Sequence, residues 1–299
     1  MSGQRVVEDG GAHTAGDELR QRLLAGAPVT QRRLRLAGVS TAVLEGGSGP
    51  PVVLLHGQGG WAGVWLPAIA ELARTHRVVA PDLPGLGASR VDGDPPGAAT
   101  ALAWLGELVD QTCAVPPVVV GVSLGGSLAA RFAAGHRDRL AGLILVGVGG
   151  LAGKVRIPPG ILLALVRHGV RPSERSAMGM LRQVSVDPER VRRRMGERWA
   201  PFRAYSLELS RTPSVQRANR QLLRELGLRQ IPPEDLARID LPVTLIWGRQ
   251  DRVMPLAAAQ EASARYGWPL EVIDDAGHIL AADQPEAFLR ALQAALARP

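Results

Sequence analysis

The sequence predicts an α/β protein, a mostly parallel β-sheet with helices on both faces. Three observations predict it. Short runs rich in valine, isoleucine and leucine alternate with longer segments of helical periodicity. Several runs stay apolar at consecutive positions, as strands covered on both faces require. Several end at a glycine, as in Leu55-His56-Gly57, Val120-Gly121 and Trp247-Gly248, where a chain leaving a strand must turn.

The elements follow in order. Residues 1–16 are small and polar with no apolar stretch; they are expected to be disordered and to contain no signal peptide. A short helix is expected over 17–25, and a hairpin over 32–36 and 39–45 around Ala37-Gly38. Alternation then begins: strand 52–56, helix near 61–74, strand 77–80, helix near 99–112, strand 118–121, helix 124–135, strand 143–147. From about 149 to 240 the alternation stops. That stretch is helical and arginine-rich, broken at Pro158, Pro159, Pro172, Pro188, Pro201, Pro213, Pro232 and Pro233. Alternation resumes with strand 243–248, helix 256–266, strand 270–273 and helix 285–297. The division expected is an N-terminal extension 1–29, a core of 30–150 and 241–299, and a helical insert 151–240.

Composition bounds the function. A chain of 299 residues buries about three-quarters of its unfolded surface, so a large core is available. The apolar, uncharged run 140–153 is shorter than the roughly 18 apolar residues of a membrane helix, so no membrane span is expected. The single cysteine, Cys113, excludes an internal disulfide and favours the cytoplasm. No C-x-x-C, H-E-x-x-H or G-x-G-x-x-G after a strand is present, so neither metal nor cofactor is expected. Net charge is +7, and 18 basic against 9 acidic residues fall in 151–240. That excess reads either as a solvated face or as attraction for an anionic or carrier-bound acyl substrate. Nucleic acid is not expected, since no binding motif accompanies the charge. Oligomeric state is not written in these features.

Residues 118–126 read Val-Val-Val-Gly-Val-Ser-Leu-Gly-Gly, and a small-residue helical pattern follows at once. Strand, sharp turn and helix are the setting of a nucleophile elbow. Gly121 and Gly125 suit it, because a Cβ at either position would crowd the turn against the next helix. The turn lifts the Ser123 hydroxyl out of the sheet and points the Leu124 N–H at whatever the serine attacks. The competing reading is an ordinary turn with a capping serine.

Three further segments favour the elbow. Residues 52–60 run from a strand into His56-Gly57-Gln58-Gly59-Gly60. Acyl transfer needs a second donor for the oxyanion, and the Gln58 N–H is the candidate beside Leu124. His56 precedes the loop glycine and reads as a structural histidine that bonds loop backbone. Residues 243–251 end a strand in Gly248 and reach Asp251 at its carboxyl end, where doubly wound sheets place their chemistry. Residues 270–278 run from a strand through Asp274-Asp275-Ala276-Gly277 to His278, the candidate general base. Asp274 and Asp275 read as turn formers. Trp61 and Trp65, one helical turn apart after the Gln58 loop, either line an acyl pocket or pack helix on sheet. Arg192, Arg193, Arg194, Trp199, Phe202 and Tyr205 are candidates for a pocket roof.

Ser123, Asp251 and His278 occur in the chain order of the α/β-hydrolase arrangement. Over about residues 30–299 the chain resembles the α/β-hydrolase fold superfamily. Pro81-Asp82-Leu83-Pro84-Gly85-Leu86-Gly87-Ala88-Ser89 resembles that family's structural loop after the fourth strand, and Asp82 and Ser89 receive no catalytic role. The resemblance implies an eight-stranded sheet, with residues 151–240 as a helical cap between the sixth and seventh strands. It also implies a Ser-Asp-His triad that cleaves a carboxylic ester or thioester through an acyl-enzyme. Serine at 123 argues against the branches with an aspartate nucleophile. Ile279 stands where carbon–carbon bond hydrolases of the family commonly carry tryptophan, which weakens that alternative. Acyl transfer, cyclisation or lyase chemistry on the same triad, and a non-catalytic binding protein, are the remaining alternatives.

Overall fold

A computed structural model of the chain describes residues 15–298. The disorder expected for most of 1–16 therefore concerns residues outside the described part. Nine strands form one sheet: β1 Thr30–Leu36, β2 Val39–Gly46, β3 Pro51–Leu55, β4 Arg77–Pro81, β5 Arg90–Val91, β6 Val118–Val122, β7 Gly142–Val146, β8 Val243–Gly248 and β9 Leu270–Ile273. Eight of them make the continuous order β1-β2-β4-β3-β6-β7-β8-β9, and β5 pairs with β2 alone. The expected count of eight omits β5, because two residues are too few to show a period.

Antiparallel pairing joins β1 to β2 and β2 to β4, and every pair from β4 through β3 to β9 is parallel. The β1–β2 hairpin turns at Ala37 and Gly38, both at positive φ, as a two-residue turn matched to strand twist demands. Every residue of β3, β7 and β8 is buried. Their near-continuous apolar sequences follow from that double coverage.

Two apolar clusters cover the two faces. One gathers Trp104, Leu105, Leu128 and Phe132 from helices Ala98–Thr112 and Leu124–Gly135, with Trp61 and Trp247. The other gathers Leu66, Ile69, Phe288 and Leu292 from helices Leu66–Leu72 and Pro285–Leu296, with Trp65. Strand order reverses between β3 and β6, and ligand crevices of doubly wound sheets open at such a point.

Between β7 and β8 the chain builds helices Pro159–Val170, Glu174–Val184, Pro188–Met195, Trp199–Arg211, Pro213–Leu222 and Pro233–Ala237. The prolines start these helices more than they break them. Pro159, Pro188, Pro213 and Pro233 stand at first positions, and Pro201 falls in a first turn, where no amide donor is needed. Among the described residues no helix is long and apolar enough to cross a membrane.

Candidate active site

Ser123 follows β6 with φ 49° and ψ −112°, a conformation few non-glycine residues adopt. Two backbone bonds fix it there. Its N–H donates to Val146 O at 2.9 Å, and its carbonyl accepts from Ser127 N–H at 2.9 Å. The elbow also depends on close approach. A Cβ on Gly125 would lie 2.5 Å from His56 O and 2.6 Å from Leu55 O. Leu124 opens the next helix, so its N–H has no partner within that helix.

Beside the elbow runs the loop after β3. A Cβ on Gly57 would stand 3.5 Å from Ser123 Cβ, which sets the spacing of loop and serine. Gly60 N–H donates to Gly57 O at 3.2 Å, and Gly59 N–H donates to Asn219 Oδ1 at 3.0 Å. Both amides are therefore occupied, one within the loop and one by the insert, which leaves Gln58 N–H as the candidate that faces a ligand. His56 is fully buried and bridges backbone on both sides. Leu83 N–H donates to its Nε2 at 3.0 Å, so its Nδ1–H donates to Gly57 O at 2.8 Å. Burial pushes its pKa down and holds it neutral. These bonds are those of a structural histidine.

Asp251 and His278 meet. His278 Nδ1 lies 2.9 Å from Asp251 Oδ2, with side-chain exposures of 11% and 0%. The other carboxylate oxygen accepts from Val253 N–H at 2.8 Å and Met254 N–H at 2.9 Å. Two amides and an imidazole thus hold the carboxylate in one orientation. Since Nδ1 is engaged, Nε2 is the nitrogen that can take a proton. Gly147, just after β7, makes room for this pair: a Cβ there would lie 3.2 Å from His278 Nδ1 and 3.4 Å from Asp251 Oδ2. Gly147 also follows Val146, the residue that holds Ser123. One glycine turn therefore separates the serine backbone from the imidazole.

The turns that carry Asp251 and His278 are sewn together. Arg249 N–H donates to Ile273 O at 2.9 Å and Gln250 N–H to Ala276 O at 3.0 Å, while Trp247 Nε1 donates to Met254 O at 2.7 Å. Asp274 and Asp275 are exposed and bond Arg249 and Arg190 respectively, which leaves the imidazole to Asp251.

Several positioning residues escape a reading of the sequence. Asp283, fully buried, accepts from Gly277 N–H at 2.8 Å, from Ser185 Oγ at 2.5 Å and from Val186 N–H at 3.2 Å. It thereby ties the turn before His278 to the insert. Asn219 holds the loop beside Gln58. Asp82 accepts from Ala62 N–H at 2.6 Å and Ala88 N–H at 2.7 Å, and pairs with buried Arg20 at 2.8 Å. For Asp283 and Asn219 the sequence signal is an isolated polar residue, indistinguishable from a surface one until the fold buries it, whereas Asp82 lies in the loop that the sequence already marks as structural.

The two tryptophans part company. Trp61 is buried under the insert, 4.9 Å edge-on from Tyr205 and 6.4 Å from Phe202, with Arg20 over its ring at 4.8 Å. Trp65 turns to the opposite face of the sheet, 6.2 Å from Phe288, so helix-to-sheet packing describes its place. Trp199 stacks with Arg203 at 5.4 Å, apart from Trp61's contacts.

Comparison with known proteins bears on this arrangement. A family model described as the alpha/beta hydrolase family matches residues 52–291. A pimeloyl-(acyl-carrier protein) methyl ester esterase from Aeromonas hydrophila is 31% identical over 270 residues, covering 85% of this chain and 98% of that protein. A 2-hydroxy-6-oxo-6-(2'-aminophenyl)hexa-2,4-dienoic acid hydrolase from Metapseudomonas resinovorans is 26% identical, covering 90% and 91%. Among solved structures, a 2-hydroxy-6-oxo-6-phenylhexa-2,4-dienoate hydrolase from a Rhodococcus species superposes with a TM-score of 0.78 at 26% identity, covering 90% of this chain and 99% of that one.

Proposed function

The chain belongs to the alpha/beta hydrolase family, and from that premise we propose a serine hydrolase that cleaves a carboxylic ester or thioester through an acyl-enzyme. One observation carries the reading: a part-buried Asp251–His278 pair at 2.9 Å lies one glycine turn from a serine held at φ 49°. His278 Nε2 takes the Ser123 proton as Ser123 Oγ attacks the acyl carbon. Asp251 holds the imidazole in the required tautomer and stabilises its cation. The Gln58 and Leu124 amides receive the oxyanion. His278 then protonates the leaving alcohol or thiol, and water releases the acyl group.

Residues 151–240 serve as a cap. Trp61, Phe202 and Tyr205 supply apolar surface between cap and core, and the cap's positive charge favours an anionic or carrier-bound acyl group. The relative from Aeromonas hydrophila, a pimeloyl-(acyl-carrier protein) methyl ester esterase, agrees with that preference. A second reading, carbon–carbon bond hydrolysis, is favoured by the dienoate hydrolases among the relatives.

The test is a panel of p-nitrophenyl esters, acyl thioesters and a 2-hydroxy-6-oxo-dienoate, run with wild type and Ser123→Ala. Ester or thioester turnover that falls about a million-fold in the variant, with circular dichroism unchanged, is expected. Turnover of the dienoate alone would establish the second reading. Full activity of Ser123→Ala would remove the assignment.

A further inference from the structure

One helix face of the insert has no partner among the described residues. Helix Pro159–Val170 buries Ile161 and turns His168 inward, where its ring nitrogens meet Ser176 Oγ at 2.9 Å and Ser210 Oγ at 3.1 Å. On its outer side Leu162, Leu163, Val166 and Val170 are 50%, 66%, 53% and 81% exposed. Among the described residues only Val64 and Val115 are other large apolar side chains so exposed. Leu162, Val166 and Val170 recur every fourth residue and make one stripe, which Leu163 widens. A helix apolar on both sides is ordinarily covered on both sides.

The charge around the stripe points to what covers it. Lys154, Arg156, Arg167, Arg171 and Arg175 flank it and are exposed. None of the five forms an ion pair among the described residues. No acid occurs from residue 151 to 173, and Glu174 is paired with Arg203 at 2.7 Å. A second copy of this chain would set like charge against like. A soluble polyanion without apolar surface would neutralise the cations and leave the stripe in water. A lipid surface with anionic headgroups satisfies both, since the stripe enters the acyl boundary while the cations stay among the phosphates. We propose that helix Pro159–Val170 docks the protein peripherally on an anionic lipid surface. The segment before this helix packs Val155 beside Gly149 and Met254, next to the Asp251 turn. Docking would therefore bring the carboxyl end of the sheet to the membrane. The inference is independent of the bond that the enzyme cleaves.

The experiment is co-sedimentation of the full chain with vesicles of phosphatidylcholine alone and of phosphatidylcholine mixed with phosphatidylglycerol. Binding to the mixed vesicles is expected, weakened by salt. The Arg167→Gln/Arg171→Gln variant should partition about 25-fold less, at about fivefold per charge. Leu163→Gln/Val166→Gln should lose at least tenfold by about the same scale of burial. Circular dichroism and hydrolysis of a soluble p-nitrophenyl ester should not change in either variant. The proposal is overturned if mixed vesicles leave the protein in the supernatant, or if both variants bind them like wild type. It is equally overturned if polyglutamate binds the chain while vesicles do not, or if light scattering shows a dimer that Leu163→Gln/Val166→Gln dissolves and no vesicle binding.

Discussion

The carboxyl end of the sheet and the helical insert above it are built differently. At the sheet end, backbone sets the geometry: Ser123 hangs from Val146 O, Gln250 from Ala276 O, and Gly125 lies against the carbonyls of Leu55 and His56. The insert adds side chains on carbonyls and amides to backbone bonds such as Ile231 N–H to Gly150 O at 3.0 Å and Ile279 N–H to Val184 O at 3.2 Å. Ser127 Oγ donates to Leu226 O at 2.9 Å, Arg131 to Arg229 O at 2.8 Å, and Glu225 accepts from Ala98 N–H at 2.7 Å. Backbone bonds survive most substitutions, whereas side-chain fastenings change one residue at a time. The contrast teaches that this architecture can hold the geometry of its sheet end while the insert above it varies.

Four substitutions or conditions break or sharpen that contrast. Asp251→Asn should lower kcat about ten-thousand-fold with the fold intact, since an amide presents the wrong partner to His278 Nδ1. A loss under tenfold would mean the pair is structural. Gly125→Ala puts a Cβ 2.5 Å from a carbonyl oxygen that belongs to backbone and cannot swing aside. Stability should fall by about 1–3 kcal/mol or more in urea unfolding, with activity lost alongside.

The third concerns pH. His56 is buried neutral with its pKa below the ordinary 6.5, so the unfolded chain binds a proton that the folded chain resists. Stability is full above pH 6.5 and declines as pH falls below it, by up to about 1.4 kcal/mol per unit. His168, also lowered by burial and by Arg203, adds in the same direction. Urea midpoints at acidic and neutral pH should differ less in His56→Asn than in wild type. The smallest effect belongs to the insert. Asn219→Ala removes one bond of about 1 kcal/mol from Gly59 and should lower kcat/KM about fivefold. A loss as large as that of Asp251→Asn would erase the distinction between frame and roof.

Much of this was legible in the sequence, for a physical reason. Buried parallel strands need unbroken apolar runs, and their ends need glycine, so β3, β6 and β8 and the loops after them announce themselves. Gly147 follows such a strand too, but only the coordinates show the imidazole occupying the space of its absent side chain. Asp283, Asn219 and Arg20 carry no local signal, because a polar residue inside a helical segment looks solvent-facing until tertiary contacts enclose it. The two-residue β5 lies below the length at which periodicity exists. Trp61 and Trp65 mislead as a pair. A short 3-10 turn, Ala62–Trp65, stands where a continuous helix was expected, and it sends the two rings to opposite sides of the sheet.

Arg20 has a practical consequence. It sits in helix Ala15–Leu24, ahead of the segment that matches the family model, yet its guanidinium supplies the counter-charge to fully buried Asp82 and donates to Tyr205 at 3.3 Å. An isolated carboxylate in the interior is among the costliest defects a fold can carry. Anyone shortening this protein for crystallisation or for directed evolution should therefore cut upstream of residue 15, not at the edge of the shared hydrolase segment.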